Sequence, residues 1–381
     1  LKLKSNVLLD ALNFLMPGFE KTGTIIETGK VQLSSHLFVQ EEGPSKHYLL
    51  LSTRSRYVAG RVGIEIEESE FIPDFNTLVD YDKLRNYIGM LPANTDIDLS
   101  YNSSKGALAI NDSKGIYRFS VDNLEFDVEM PEMDSVGSLP FDQFNTLMDH
   151  ARAFTTTERN TQTGNSIRLT YDGDNNDMLW ATVYHRSLIA AFSIKPGTKM
   201  EKLDVYVRAS IFKKIGRQDG LMYILSSKDS SVLGLAPENV LGRMAVTTLN
   251  DIEDSSEIIR SVLQIERPYL VTFNRSTLSN VVEKMSLFSQ ESVLIDVHDG
   301  KAHVSSKSSA GSDGNEVLAV EHIGAFHIEL PIKVINNVLR IDSDSETVTF
   351  DISEDASTAM VTGKSSDINY VIVTSSASDT E

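Results

Sequence analysis

Apolar positions recur three times along this chain in one helical register. Leu8, Ala11, Leu12 and Leu15 fall at i, i+3, i+4 and i+7. Phe144, Leu147, Met148 and Ala151 repeat that spacing, as do Leu278, Val281, Val282 and Met285. Such spacing keeps four side chains on one face of a 3.6-residue period, so each set predicts an amphipathic helix. The sets lie 136 and then 134 residues apart. A second helix is predicted around Leu84, Ile211 and Ile335. Alternating stretches follow each second helix and predict strands, with Ile97, Leu99, Tyr101 and Val348, Phe350, Ile352 as examples. A repeat this long is a whole domain, larger than a solenoid unit. Three equivalent domains in one chain predict rotational pseudo-symmetry.

The pattern divides the chain into residues 1–133, 134–257 and 258–381, each reading β-α-βββ-β-α-βββ. The six helical segments are 4–17, 80–91, 140–154, 207–218, 274–289 and 331–341. Pro140 sits where a first-turn proline belongs, Asn274 is a predicted N-cap, and Pro331 opens the last helix. The acidic stretch Asp251–Glu257 closes the second domain. Ser305–Asn315 reads as a flexible loop between strands, and Ser375–Glu381 as a disordered acidic tail. Two helices sharing one side of curved antiparallel sheets make the fold class α+β.

Charge adds a second layer. The formal net charge of the 381 residues is −19, which by itself disfavours a polyanionic partner. Yet the six helical segments hold twelve basic residues against six acidic ones. One account is that solvated helix faces simply favour Lys and Arg. The other is that a polar helix face looks at a polyanion while the remaining surface repels it. The chain has no cysteine, so disulfides and thiolate metal sites are excluded and a reducing compartment is favoured. No apolar run is long enough to span a bilayer, and Leu1–Met16 carries Asp10 and no cleavage site. A cytoplasmic protein with no membrane partner is expected.

No catalytic constellation emerges: there is no P-loop, no G-x-S-x-G and no H-E-x-x-H. Asp172–Asp177 resembles the start of a calcium loop but lacks its glycine, and Val183 stands where the bidentate Glu belongs. It reads as a hairpin turn. No enzyme activity, metal or cofactor is expected.

Four features resemble a known family, the bacterial sliding clamp, which is the β subunit of DNA polymerase III. The first is the three-domain, two-helix repeat. The second is Val79-Asp80-Tyr81-Asp82-Lys83-Leu84 through Leu91-Pro92, similar to the family's second helix with its closing Leu-Pro. The third is Arg118-Phe119-Ser120-Val121, close to the family's Arg-Phe-Ser-Leu edge strand. The fourth is Thr182-Val183-Tyr184-His185-Arg186, which looks like Thr-Asp-Gly-His-Arg. Tyr184 replaces the family's glycine, and Val373-Thr374-Ser375-Ser376 replaces the usual C-terminal Met-Pro-Met-Arg-Leu. Such divergence suits a clamp encoded by a bacteriophage and working in an infected host cell.

The resemblance implies a processivity factor: a ring of two chains, head to tail, around double-stranded DNA. Its implied partners are the replicative DNA polymerase, an ATP-dependent clamp loader and a second copy of the chain. Lumen contacts to phosphates are then assigned to Lys83, Arg85, Arg152, Arg159, Lys213, Lys214, Arg217, Lys284 and Lys333. Such contacts position DNA without reading sequence. The implied dimer joint sets Phe119 and Val121 against Leu287 and Phe288. The implied partner-peptide pocket comprises Tyr184, His185, Arg186, Leu188, Met360, Val371 and Val373. Two readings stay open beside it: a clamp-fold tether for transcription machinery, and a structural virion protein with repeated β-rich domains.

Overall fold

The computed structural model describes residues 1–16, 30–38, 46–66, 75–122, 128–156, 163–173, 176–185, 187–212, 220–250, 252, 254–307 and 311–377. The first round of elements is β1 (Lys2–Lys4), α1 (Ser5–Leu15), β2 (Lys30–Phe38), β3 (Lys46–Arg54), β4 (Val58–Ile66), β5 (Asn76–Asp80), α2 (Tyr81–Met90), β6 (Asp96–Asn102), β7 (Ala107–Asn111) and β8 (Ile116–Asp122). The second is β9 (Asp134–Pro140), α3 (Phe141–Ala153), β10 (Ser166–Asp172), β11 (Asn176–His185), β12 (Leu188–Ile194), β13 (Leu203–Arg208), a 3-10 turn at Ala209–Phe212, β14 (Leu221–Ser226), β15 (Val232–Pro237) and β16 (Leu241–Thr247). Then come α4 (Ser256–Leu263), β17 (Tyr269–Asn274), α5 (Arg275–Met285), β18 (Ser292–His298), β19 (Lys301–Lys307), β20 (Asp313–Ala319), β21 (Glu321–Ile323), β22 (Phe326–Pro331), α6 (Ile332–Ile341), β23 (Thr347–Ile352), β24 (Thr358–Ser365) and β25 (Ile368–Ser375). No helix among the described residues is long and apolar enough to cross a membrane.

The three predicted apolar registers are the buried faces of α1, α3 and α5, and every one of the twelve side chains is buried. Burying a Leu or Val side chain contributes roughly 1.5–3 kcal/mol, which outweighs the modest propensity of these short helices. The helix starts are chemically marked. Asp80 caps α2 by accepting from the Lys83 amide at 2.9 Å, and Asn274 caps α5 by accepting from the Thr277 amide at 3.0 Å. Pro331 stands at the N-cap of α6.

The chain packs as two units. Residues 1–145 and 196–250 form one, and residues 146–195 and 251–381 form the other. The first unit holds a twelve-stranded antiparallel sheet in the order β1-β6-β7-β8-β5-β2-β3-β4-β16-β15-β14-β9. Its α1 and α2 are joined by the Tyr81 hydroxyl donating to the Leu12 carbonyl at 3.0 Å and by Arg85 Nε donating to Asn13 Oδ1 at 2.7 Å. Gly60 on β4 is required by close approach, since an added Cβ would meet Leu15 of α1 at 2.7 Å. The second unit holds strands in the order β10-β11-β12-β25-β24-β23-β17-β21 and a four-stranded sheet β20-β19-β18-β22. There Asn337 Nδ2 of α6 donates to the Ala153 carbonyl at the end of α3, 2.7 Å away.

The repeat extends to single atoms. Asp229 accepts from the Ser227 hydroxyl at 2.7 Å and from the Ser231 amide at 3.1 Å. Asp355 accepts likewise from the Ser353 hydroxyl at 2.7 Å and the Ser357 amide at 3.0 Å. Ser-x-Asp-x-Ser thus builds the same turn in two rounds, and these bonds pull both carboxyls down to about 2.

Three expectations are revised or limited. Residues 256–263, expected to straddle the boundary between the second and third domains with no helix assigned, form α4. Most of Ser305–Asn315 is strand rather than loop, because β19 and β20 pair as far as Lys307 opposite Asp313; residues 308–310 lie outside the described ones. Of the helix expected over 207–218, the described part is β13 and the 3-10 turn, and 213–219 lie outside the described residues. The Asp172–Asp177 segment is a hairpin connection, with Asp172 paired to Asn176.

Candidate functional sites

Cross-strand register in the second unit gathers three of the expected pocket residues, with Ile189, in one row. Tyr184 pairs with Ile189, Ile189 with Val373, and Val373 with Met360, across β11, β12, β25 and β24. Directly paired residues of antiparallel strands share a face, so these four form one row. The next row on that face runs Arg168, Thr182, Ala191, Val371, Thr362. The opposite face is core: Val183, Ala190, Ile372 and Val361 are all buried there, and Phe192 meets His150 and Phe154 at ring distances of 5.8 and 5.7 Å. His185 and Leu188 pair with each other on that core side rather than on the Tyr184 face. Arg186 lies outside the described residues.

Tyr184, Met360 and Val371 are half-buried, whereas Ile189 and Val373 are buried although they face away from the core. Arg168 ties the start of α4 to this face, and Arg267 closes its end. At its start, Arg168 Nη1 donates to Asp254 Oδ1 at 2.8 Å and to Ser256 Oγ at 2.6 Å. The Ser256 hydroxyl and amide, with Arg168, hold the Asp254 carboxyl below the usual range. At its end, Arg267 donates to the Val262 and Ile265 carbonyls at 2.9 and 2.8 Å. Arg267 also feels the charge of Asp351, which is paired with Met360. Burial raises the Asp351 carboxyl, with Arg267 opposing. Ile259 and Val262 of α4 are half-buried, while Ile258 is 50% and Leu263 38% exposed. The arrangement is an apolar strip floored by Tyr184, Val371, Val373 and Met360 with a helix edge beside it. It can hold a short apolar segment by burial rather than by charge.

Sequence reasoning missed Ile189, Arg168 and all of α4. A signal existed: Asp254 and Ser256 precede Ile258-Ile259 and Val262-Leu263, a capped start followed by apolar pairs four apart.

The expected lumen cations differ in what they touch. Lys83 is exposed on α2 and has no ion pair among the described residues. Arg85 is held by Asn13, and Arg152 by Asp149 at 2.8 Å. Lys284 bonds Glu316 of β20 at 2.8 Å, and Lys333 donates to the Thr155 carbonyl at 3.1 Å. Arg159, Lys213, Lys214 and Arg217 lie outside the described residues.

The expected joint residues lie on β8, which runs between β7 and β5, and just after α5. In β8, Val121 pairs with Val79 of β5, whereas Phe119 pairs, among the described residues, only with Leu108 of β7 and meets the Tyr87 ring edge-on at 5.6 Å. In the second unit β20 is the edge of its four-stranded sheet. Phe288 rests on that edge at Gly314, where an added Cβ would meet its ring at 2.7 Å, and Leu287 is 81% exposed.

No family model matches this sequence, and no curated protein matches it in sequence. Solved structures do match. A DNA polymerase III beta subunit from Thermotoga maritima superimposes with a TM-score of 0.81 at 12% identity, covering 98% of each chain. A sliding clamp, DNA polymerase III subunit beta, from Pseudomonas aeruginosa bound to griselimycin gives 0.77 at 17% identity, again over 98% of each chain. A second Pseudomonas aeruginosa beta-subunit structure gives 0.76 at 16%, with the same coverage. The fold is therefore that of the sliding clamps, three rounds of one α+β plan, which the sequence resemblance had implied.

Proposed function

We propose that this protein is a DNA polymerase processivity factor, a sliding clamp that encircles duplex DNA and tethers the replicative polymerase without chemistry of its own. The observation that carries the reading is the likeness to beta-subunit clamps over 98% of the chain. On this reading the chain comprises three clamp domains, 1–133, 134–257 and 258–381. Two copies close head to tail, with Phe119 of one chain facing Leu287 and Phe288 of the other. A paired joint would also cover the β20 edge and the stretch of β8 before Val121 that pairs, among the described residues, on one side only. An ATP-dependent loader opens the ring, and helix cations, Lys83 and Lys333 among them, touch phosphates from inside. The apolar strip beside α4 receives short apolar peptides of polymerase and loader.

The defining property of a ring is topological. Protein loaded on a nicked circular duplex should stay bound through gel filtration and leave when a restriction enzyme linearises the circle. Equal retention on circular and linear DNA would reject encirclement.

A further inference from the structure

The β4–β16 ladder of the first unit carries a second surface with its own chemistry. Ala59 pairs with Ala245, and Arg61 pairs with Arg243 two residues along, on the same face. Two arginines directly opposite each other repel, a cost a sheet ordinarily avoids. Two residues back from Ala59, just before β4 and bonded through its carbonyl to the Thr247 amide, lies Tyr57, flanked by the Arg208 guanidinium at 4.1 Å and the Arg56 guanidinium at 5.2 Å from its ring centre. Arg208 Nε is buried and has no hydrogen-bond partner among the described residues. Between these basic ends is a pocket of about 460 Å³ with Ala59 and Ala245 in its lining, Val128 and Val232 among its walls, and Arg54 and Arg56 also bordering it. Arg61 Nη2 donates to the Val128 carbonyl at 2.8 Å and so holds that wall against β4.

Guanidinium groups recognise carboxylates and phosphates through paired N–H donors. Here the lining between them is apolar and small, which a continuous polyphosphate backbone cannot use, and Glu129 at its border repels any anion there, so a ligand's carboxylates must sit at the two arginine ends. The arrangement is complementary to an extended peptide with two carboxylates and an apolar side chain between them. Tyr57 and Arg61 are four residues apart, about 13 Å along a strand at roughly 3.3 Å per residue. That span matches acidic residues four apart in an extended ligand. We propose that this surface binds acidic, apolar-centred peptide segments of a partner protein, with one carboxylate at Arg54, Arg56 and Arg208 and the other at Arg61 and Arg243. The inference rests on the first unit alone and stands apart from the clamp reading.

The test uses the full-length protein and a displayed library of random nine-residue peptides, with selected sequences remade synthetically for fluorescence anisotropy. Enrichment of acid-x-apolar-x-acid patterns is expected. Their affinity should fall by about tenfold or more in Arg54→Glu/Arg56→Glu, and similarly in Arg61→Glu/Arg243→Glu. The Arg54→Glu/Arg56→Glu variant should melt as wild type does, the Arg61→Glu/Arg243→Glu variant slightly lower through the lost Val128 bond, and Val371→Asp should leave these peptides bound. No enrichment, enrichment without acids, or affinity indifferent to either double reversal would overturn the proposal. So would arginine-dependent binding of a twenty-residue oligothymidylate that displaces the peptides, since the site would then serve nucleic acid.

Discussion

Arg168 Nη1 and Asp254 Oδ1 lie 2.8 Å apart, and this pair fixes where α4 begins. Arg168 projects from the sheet face that carries the apolar strip, and Asp254 stands two residues before the helix. None of the side chains in α4 is fully buried, so its position depends on its two ends more than on packing. Arg267 plays the matching part at the C-terminal end by bonding the last carbonyls.

Replacing Arg168 with Met should therefore loosen α4 without unfolding the sheet. A charge-assisted hydrogen bond contributes about 1.5–3 kcal/mol when sheltered, and the exposure of Asp254 reduces that to roughly 1 kcal/mol. Hydrogen exchange should quicken in residues 256–264 and stay unchanged in β11 and β12. Slow exchange retained in α4 would show that the helix is held by other contacts.

His150 predicts a pH dependence. Burial against Phe192 pushes its imidazole below the ordinary 6.5, Arg340 lowers it further, and Asp149 opposes. The unfolded chain then takes up the proton first. Stability from this group is complete above about pH 6.5 and is lost as the pH falls below that value. Wild-type melting should drop between pH 7.5 and 5.5 by more than that of His150→Phe. Parallel pH profiles for the two proteins would remove His150 as the cause.

Much of the helical core was legible because a 3.6-residue period is strong local information: Leu8, Phe144 and Leu278 each anchor a face that is buried as expected. Capping was partly legible too, at Asn274. What the sequence hid was register. Tyr184 and His185 are neighbours in the chain yet point to opposite faces, and only the pairing with Ile189 and Leu188 reveals which one looks outward. Lysines on helices read alike in sequence, but the structure separates Lys284, tied to Glu316, from Lys83, which has no ion pair among the described residues. α4 was missed because its eight residues are too few for a full periodic pattern, and an acidic run precedes them.

The proposed joint predicts a change of mass without loss of fold. Leu287 is exposed in the single chain, so Leu287→Asp costs it little, while the same charge buried between two chains lacks a partner. Combined with Phe288→Asp, which also loses the contact with Gly314, melting should fall modestly and light scattering should report a monomer. The wild-type mass in the double variant would place the joint elsewhere, and a wild-type trimer would reject a six-domain ring.

The apolar strip predicts a specificity that the Tyr184 ring sets. Relative to the family pattern, a phenol stands where a glycine left backbone exposed, and Val373 stands where a methionine is usual. In the structure both belong to one row, joined through Ile189; the Tyr184 ring narrows that end of the strip, while Val373, smaller than methionine and buried, changes its floor. Overpacking a docking site typically costs about 1–3 kcal/mol, or roughly a factor of 5 to 150 in affinity. A peptide from the clamp-binding segment of a bacterial replicative polymerase should therefore bind wild type poorly, and Tyr184→Gly should recover part of that loss. Val371→Asp puts a carboxylate on the neighbouring row of the same face and should abolish binding of the cognate and the bacterial peptide alike. Calorimetric titration of both peptides against the three proteins decides the matter. Tight binding of the bacterial peptide to wild type would show that Tyr184 does not reshape the strip. Undiminished binding to Val371→Asp would move the peptide site off this face altogether.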